Sequence, residues 1–361
     1  MSPSYSSTQD STSSGSLSSG ASSSGPRPVS DIGRDGLLRR ISNYSTFRSD
    51  KVIHGIGDDA AVLQKDVSTY LLLTGETFIE GVEFDLSFMP FHQVGAKAVS
   101  SAVSDIYAMN GTPVSVLVNL AVPNRITVDM IEELYKGIGM ACNDYECQLA
   151  GGDLTGSHNA LVLSVTVSGE VGKDQIVYNS GAEVDEAVCV TGDLGSALAG
   201  LKVLMREKRH WQESEDPVMQ PDLTAWDYIV KRQLVPVARK DITSLFIEHT
   251  VNPSSMIDIS QGLLPDLQRL LNSSDKGAYI YQSALPIDLQ TRNAANEMEE
   301  DVDKYALFGG EDFELLFTLS EEDVENLAAK CRDFTVIGKI TGKTGVVEMQ
   351  LAEGDVVEFD K

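Results

Sequence analysis

The sequence predicts an α/β protein of two domains behind a serine-rich tail. Three observations carry this. The 361-residue length suits two cores of ordinary size better than one. From Asp31 onward, short β-rich runs alternate with stretches of helical periodicity. Hydrophobic residues make up 42% of the chain, enough for full cores, yet no run approaches the ~18–20 consecutive apolar residues of a membrane span.

Residues 1–30 are rich in serine and poor in apolar side chains, so they cannot offset their own ordering entropy and are read as a disordered tail. They show neither the basic start and apolar run of a secretory signal nor the arginines of a mitochondrial presequence, which makes the cytoplasm the expected location. The first domain, residues 31–170, is expected to contain a strand at Tyr70–Leu73 and an alternating strand at Val114–Val122. A helix follows, with Thr127 as N-cap and Val128, Ile131, Leu134, Ile138 and Ala141 along one face. The strand Leu161–Val167 closes the domain at Ser168-Gly169. The second domain, residues 171–361, restarts with a strand at Ala187–Val190, the turn TGDLG and a helix from about Ser196 to Glu207. Arg206–Asp222 reads as a charged surface excursion. Strand-turn-helix follows at SMIDISQGLLPDLQRLL, then a strand at FELLFTL and a β segment at TVIGKI.

Charge narrows the partners. With 54 acidic against 28 basic residues the net charge is −26, which repels nucleic acid; a phosphate-bearing ligand would need divalent metal between itself and the protein. Cys142, Cys147, Cys189 and Cys331 form no CxxC pair and sit among apolar residues, as buried free thiols of a reducing compartment do.

Several apolar runs end in small-residue turns that carry carboxylates: GIGDDAAVL (Asp58, Asp59), LLLTGETFIEG (Glu76, Glu80), SAVSDIYAMNG (Asp105), LAGGDLTGS (Asp153), MIDISQGL (Asp258) and FGGEDFELLF (Glu311, Asp312). One such turn is ordinary turn chemistry. Several converging on one crevice would repel one another unless hard cations lay between them, and magnesium shared between carboxylates and substrate phosphates answers that need. Walker-type loops and kinase catalytic motifs are missing, and the histidines have no metal-ligand spacing. The N–H groups of TGDLG stand where an anion could meet a helix start.

Taken in order, GIGDDAAVL, EGVEFDL, SDIYAMNGTP, GGDLTGS, SGAEVDEAVCVTGDLG, MIDISQGL and GGEDFELLF resemble thiamine-monophosphate kinase, from about Gly36 to Ile340. The resemblance implies the two-domain aminoimidazole-ribonucleotide synthetase-like fold, a homodimer formed through the N-terminal ATP- and metal-binding domain, and a C-terminal α/β domain. It implies Mg²⁺ bound by Asp58, Thr74, Glu76, Asp105, Asp153 and Asp258. It further implies ATP contacts from Tyr135, Gly152, Asp153 and Ser260, and acceptor contacts from the positions of Glu83 and Glu311. ATP and thiamine monophosphate are the implied substrates, with direct transfer and no protein nucleophile. The chain departs from the family pattern at Gln261, where a metal-binding Asp is usual, at Glu83 in place of a histidine, and at Asn179 in place of an arginine; the aromatic C-terminal motif is also absent. Another ATP-using member of the superfamily, or a nucleotide-binding homologue with impaired catalysis, is the alternative.

Overall fold

The computed structural model describes residues 28–45, 48–214 and 221–359. The expected tail therefore lies almost wholly outside the described residues. The described residues up to Arg48 belong to a unit of their own, with α1 (Gly33–Ile41) between two 3₁₀ turns. Ser49–Lys361 forms a second unit built on two sheets, the mixed α/β architecture that the sequence predicts.

The first sheet comes from β1 (Val52–His54), β2 (Ala61–Gln64), β3 (Thr69–Ile79), β4 (Thr112–Pro123), β5 (Gln148–Ser157) and β6 (Val162–Gly172). Their spatial order is β1-β2-β3-β6-β4-β5, antiparallel except for the parallel β4–β5 pair. Period-two burial is clearest in β6, where Leu163, Val165, Val167, Gly169 and Val171 are buried and the residues between them are half-buried. That inner face packs on α2 (Phe91–Ala108) and α3 (Val128–Asp144). The predicted N-cap holds: Thr127 Oγ1 accepts the Met130 N–H at 3.4 Å. Glycine lets the two helices approach closely, since a Cβ on Gly137 would lie 1.7 Å from the His92 carbonyl oxygen.

The second sheet contains β7 (Ala187–Thr191), β8 (Ser255–Asp258), β9 (Gly277–Tyr281), β10 (Leu315–Leu319), β11 (Phe334–Thr341), β12 (Val347–Gln350) and β13 (Val356–Phe359), in the order β13-β12-β9-β11-β7-β10-β8. Around it lie α4 (Ser196–Glu213), α5 (Asp227–Leu234), α6 (Lys240–His249), α7 (Leu263–Ser274), α8 (Leu289–Glu297), α9 (Val302–Phe308) and α10 (Glu321–Ala328). α7 shows why the LLPDLQRLL run folds here: Leu263, Leu264, Leu267, Leu270 and Leu271 share one buried face, each worth about 2 kcal/mol of burial.

Three sequence expectations change. The strand expected at Tyr70–Leu73 continues through TGETFI, because Thr74 and Glu76 alternate onto the inner face with Leu72 and Phe78. Asp105 does not sit in a turn after a strand: it belongs to the last turn of α2. GGD is likewise part of β5 rather than a turn. Among the described residues no helix is long and apolar enough to cross a membrane.

Candidate active site

Three elements deliver carboxylates to one place. Asp59 comes from the β1–β2 loop, Asp105 from the last turn of α2, and Asp258 from the final position of β8. One oxygen from each lies within 4.8 Å of the others. All three are deeply buried: the Asp59 side chain is 2% exposed, Asp105 8% and Asp258 1%.

Each is held by neighbours. Thr74 Oγ1 donates to Asp105 Oδ2 at 2.6 Å, and Ser104 Oγ, one residue before Asp105, donates to Asp258 Oδ2 at 2.8 Å. Arg269 of α7 bridges Asp59 Oδ1 at 3.4 Å and Asp266 Oδ1 at 3.3 Å. Asp266 accepts the N–H groups of Gln261 and Gly262, which shapes the ISQGL turn beside Asp258. Burial raises the carboxyls of Asp105 and Asp59 well above the ordinary range. Asp258 adds to both shifts, and Glu76 and Asp59 add to that of Asp105. Asp59 Oδ2 is buried without a hydrogen-bond partner among the described residues. A compact, oxygen-only, repelling set of this kind suits a hard divalent cation.

The sequence-predicted residues divide around this centre. Asp105 and Asp258 belong to it, Thr74 bonds Asp105, and Glu76 is close enough to raise the Asp105 carboxyl. Asp58 lies outside this close group: its Oδ1 accepts the Asp59 N–H at 2.9 Å and its Oδ2 the Asn179 N–H at 3.1 Å. Thus Asp58 sets the loop, while Asp59 faces the other carboxylates. Asn179 is buried and also binds the Gly57 carbonyl through Nδ2, so it serves the same loop. Ser260 lies just past Asp258, and its carbonyl accepts the Glu311 N–H at 3.0 Å. Gln261 is exposed.

Other predicted residues stand apart from the carboxylate group within this chain. Asp153 pairs in register with Asn119 on the sheet face opposite Thr74 and Glu76. Gly152 is required by its own strand, because a Cβ there would lie 1.8 Å from the Val118 carbonyl oxygen and its φ is +148°. Tyr135 is half-buried against the first core, which raises its phenol pKa. Glu83 accepts the Ile79 N–H at 2.7 Å and closes the turn after β3.

Glu311 has a partner that the sequence did not reveal. Lys97, fully buried on α2, reaches Glu311 Oε2 at 2.9 Å and the Gln233 carbonyl at 3.1 Å. A lysine inside the apolar run QVGAKAVSSAV was the available signal. Next to it, Asp312 accepts the N–H groups of Gly195 at 2.8 Å and Ala197 at 3.2 Å. The anion at the TGDLG turn is therefore the protein's own carboxylate. Burial pushes the Asp312 carboxyl up to about 7, against the opposing Arg232 charge and the two N–H bonds. A carboxyl raised in the folded state contributes stability that is complete below the unfolded pKa near 3.9 and is lost as pH rises through about 7. Asp312→Asn should therefore flatten the fall in stability between about pH 4 and 7, by up to about 1.4 kcal/mol per pH unit. Urea unfolding at several pH values reads this, and an unchanged slope would contradict it.

Comparison with known proteins agrees with the motif order. Residues 57–171 match the family model described as AIR synthase related protein, N-terminal domain. The chain is 33% identical over 306 residues to thiamine-monophosphate kinase of Bacillus subtilis (strain 168), covering 83% of this chain and 89% of that protein. It is 34% identical over 318 residues to thiamine-monophosphate kinase of Aquifex aeolicus (strain VF5), covering 88% and 94%. Among solved structures, AaThiL complexed with AMPPCP and TMP matches with a TM-score of 0.78 at 31% identity, covering 93% of this chain and 98% of that one. On its motifs, its two-sheet fold and these relatives, the chain belongs to the thiamine-monophosphate kinase family.

Proposed function

We infer that this chain phosphorylates thiamine monophosphate with ATP, giving thiamine diphosphate and ADP. The observation that carries the reading is the buried group Asp59, Asp105 and Asp258, in a member of this family. These three residues, with Glu76 beside them, would hold Mg²⁺, which supplies charge neutralisation for the phosphates when bound.

The chain's own groups define the rest of the chemistry. A phosphate monoester has a second pKa of about 6, so at neutral pH the acceptor is already largely dianionic and needs no base. One of its oxygens forms a bond to the γ-phosphorus of ATP while the bond from that phosphorus to the β-bridging oxygen breaks, and ADP carries away the electron pair. Arg269 and the Asn179–Asp58 contacts keep Asp59 oriented, and Thr74 and Ser104 fix Asp105 and Asp258. Glu311, held by Lys97, is the carboxylate available to the cationic part of the acceptor. Free thiamine should be a poor substrate, because its hydroxyl would need a base. Chromatography of products from thiamine and thiamine monophosphate, each with ATP and Mg²⁺, tests this. Preference for free thiamine, or γ-label retained on the protein as an obligatory intermediate, would defeat it.

We also propose a homodimer. The outer face of the first sheet, with Leu73, Thr77, Ile79, Leu117 and Asn119 exposed, is covered by no helix among the described residues, and Asp153 lies on it. A second copy would bury this face. Light scattering after gel filtration should give twice the chain mass, and Leu117→Lys should give a monomer.

A further inference from the structure

The end of α3 brings together two cysteines that the sequence separates. The Cys147 N–H donates to the Cys142 carbonyl at 2.9 Å and the Glu146 N–H to the Asn143 carbonyl at 3.2 Å, with Glu146 at φ +56°. These paired bonds and the left-handed residue define a Schellman termination, in which the side chains at the two ends of the longer bond meet. Here both ends are cysteines, and each thiol shifts the acidity of the other, Cys147 downward and Cys142 upward. Cys142 is buried, 4% exposed, while Cys147 is half-buried.

We propose that Cys142 and Cys147 form a reversible redox pair, closed to an intrachain disulfide by low-molecular-weight disulfides, with Cys147 attacking and Cys142 resolving. The division of roles follows from access and acidity. Cys147 is the more exposed residue; the neighbouring Cys142 thiol lowers its pKa against the effect of burial, with a smaller contribution from Lys240. Cys142 is shifted upward by the nearness of Cys147 and by burial. The backbone bond already pins the two segments together, so closure needs side-chain movement rather than chain rearrangement.

The exchange balances with oxidised glutathione as the oxidant. The Cys147 thiolate attacks one of its sulfurs, forming a mixed disulfide and releasing a glutathione thiolate, which takes the proton from Cys142. The Cys142 thiolate then attacks the Cys147 sulfur and displaces the second glutathione. Two protein thiols become one disulfide, and one oxidised glutathione becomes two reduced molecules.

The test uses the full-length protein in native buffer over a series of oxidised-to-reduced glutathione ratios, with acid quench, alkylation and peptide mass analysis. No lysine or arginine separates the pair, so one tryptic peptide carries both. That peptide should lose two hydrogens and both alkyl groups as the ratio rises, and recover on reduction, while buried Cys189 and Cys331 stay alkylatable after denaturation. Cys142→Ser should stop at the glutathione adduct on Cys147, and Cys147→Ser should leave Cys142 unmodified. Full alkylation of both thiols at every ratio, or a stable glutathione adduct in wild type equal to that of Cys142→Ser, would overturn the proposal.

Discussion

Asp105→Asn should leave a folded protein whose thiamine monophosphate phosphorylation falls by roughly 10²–10⁴-fold, about 3–5 kcal/mol of transition-state stabilisation. The substitution keeps an oxygen for the Thr74 hydroxyl but removes one charge from the group. Without metal, Asp59, Asp105 and Asp258 repel one another in a buried setting, and burial holds the Asp105 carboxyl well above its ordinary range. The metal-free variant should therefore melt above metal-free wild type. Adding Mg²⁺ should raise the wild-type melting temperature by mass action and barely move that of the variant. This crossed result separates a ligand from a structural residue, whose loss would lower stability and activity together. Thermal melts with chelator and with Mg²⁺, paired with turnover, read both halves. Parallel losses would return Asp105 to a structural role.

Glu311→Ala should destabilise the protein by about 3–5 kcal/mol, more than Lys97→Met does. The asymmetry comes from burial. The Lys97 side chain is 1% exposed and that of Glu311 31%, so removing the carboxylate strands an ammonium that water cannot reach, whereas removing the lysine frees a carboxylate to turn outward. Methionine fills much of the lysine volume with an apolar chain, and its loss should stay near 2 kcal/mol. Alanine keeps a Cβ at the left-handed position of Glu311, φ +65°, so the backbone cost is unchanged. Denaturant midpoints order the two variants. A larger loss from Lys97→Met would mean that packing of the lysine stem, rather than charge pairing, dominates this contact.

Much of the fold was legible where local patterns were clean. β4, α3 with its Thr127 cap, β7, and the β8–α7 pair all follow from periodicity and turn chemistry. α2 was not read as a helix although Gln93, Lys97, Ser100, Ser101, Ser104 and Asp105 recur at helical spacing, because that polar stripe is largely buried in the fold and its small residues read as one apolar run. That concealed both Lys97 and the helical position of Asp105. The choice between Asp58 and Asp59 was equally out of reach. It depends on the N–H of Asn179, distant in sequence, which captures Asp58 and leaves its neighbour facing Asp105 and Asp258. Asp105 and Asp258 were both legible as carboxylates closing apolar motifs, and the fold brings them together because they lie near the ends of α2 and β8. Arg269 and Asp266 escaped notice because their role depends on α7 docking beside the β1–β2 loop.

The central claim is a metal-dependent transfer from ATP to thiamine monophosphate at Asp59, Asp105 and Asp258. Phosphorus NMR of the reaction mixture tests it most directly, with wild type and Asp258→Asn each followed with and without Mg²⁺. The account predicts thiamine diphosphate and ADP forming together in equal amounts, only with wild type and only with Mg²⁺, and without matching inorganic phosphate. Inorganic phosphate in place of thiamine diphosphate, or the same product from Asp258→Asn at wild-type rate, would contradict it.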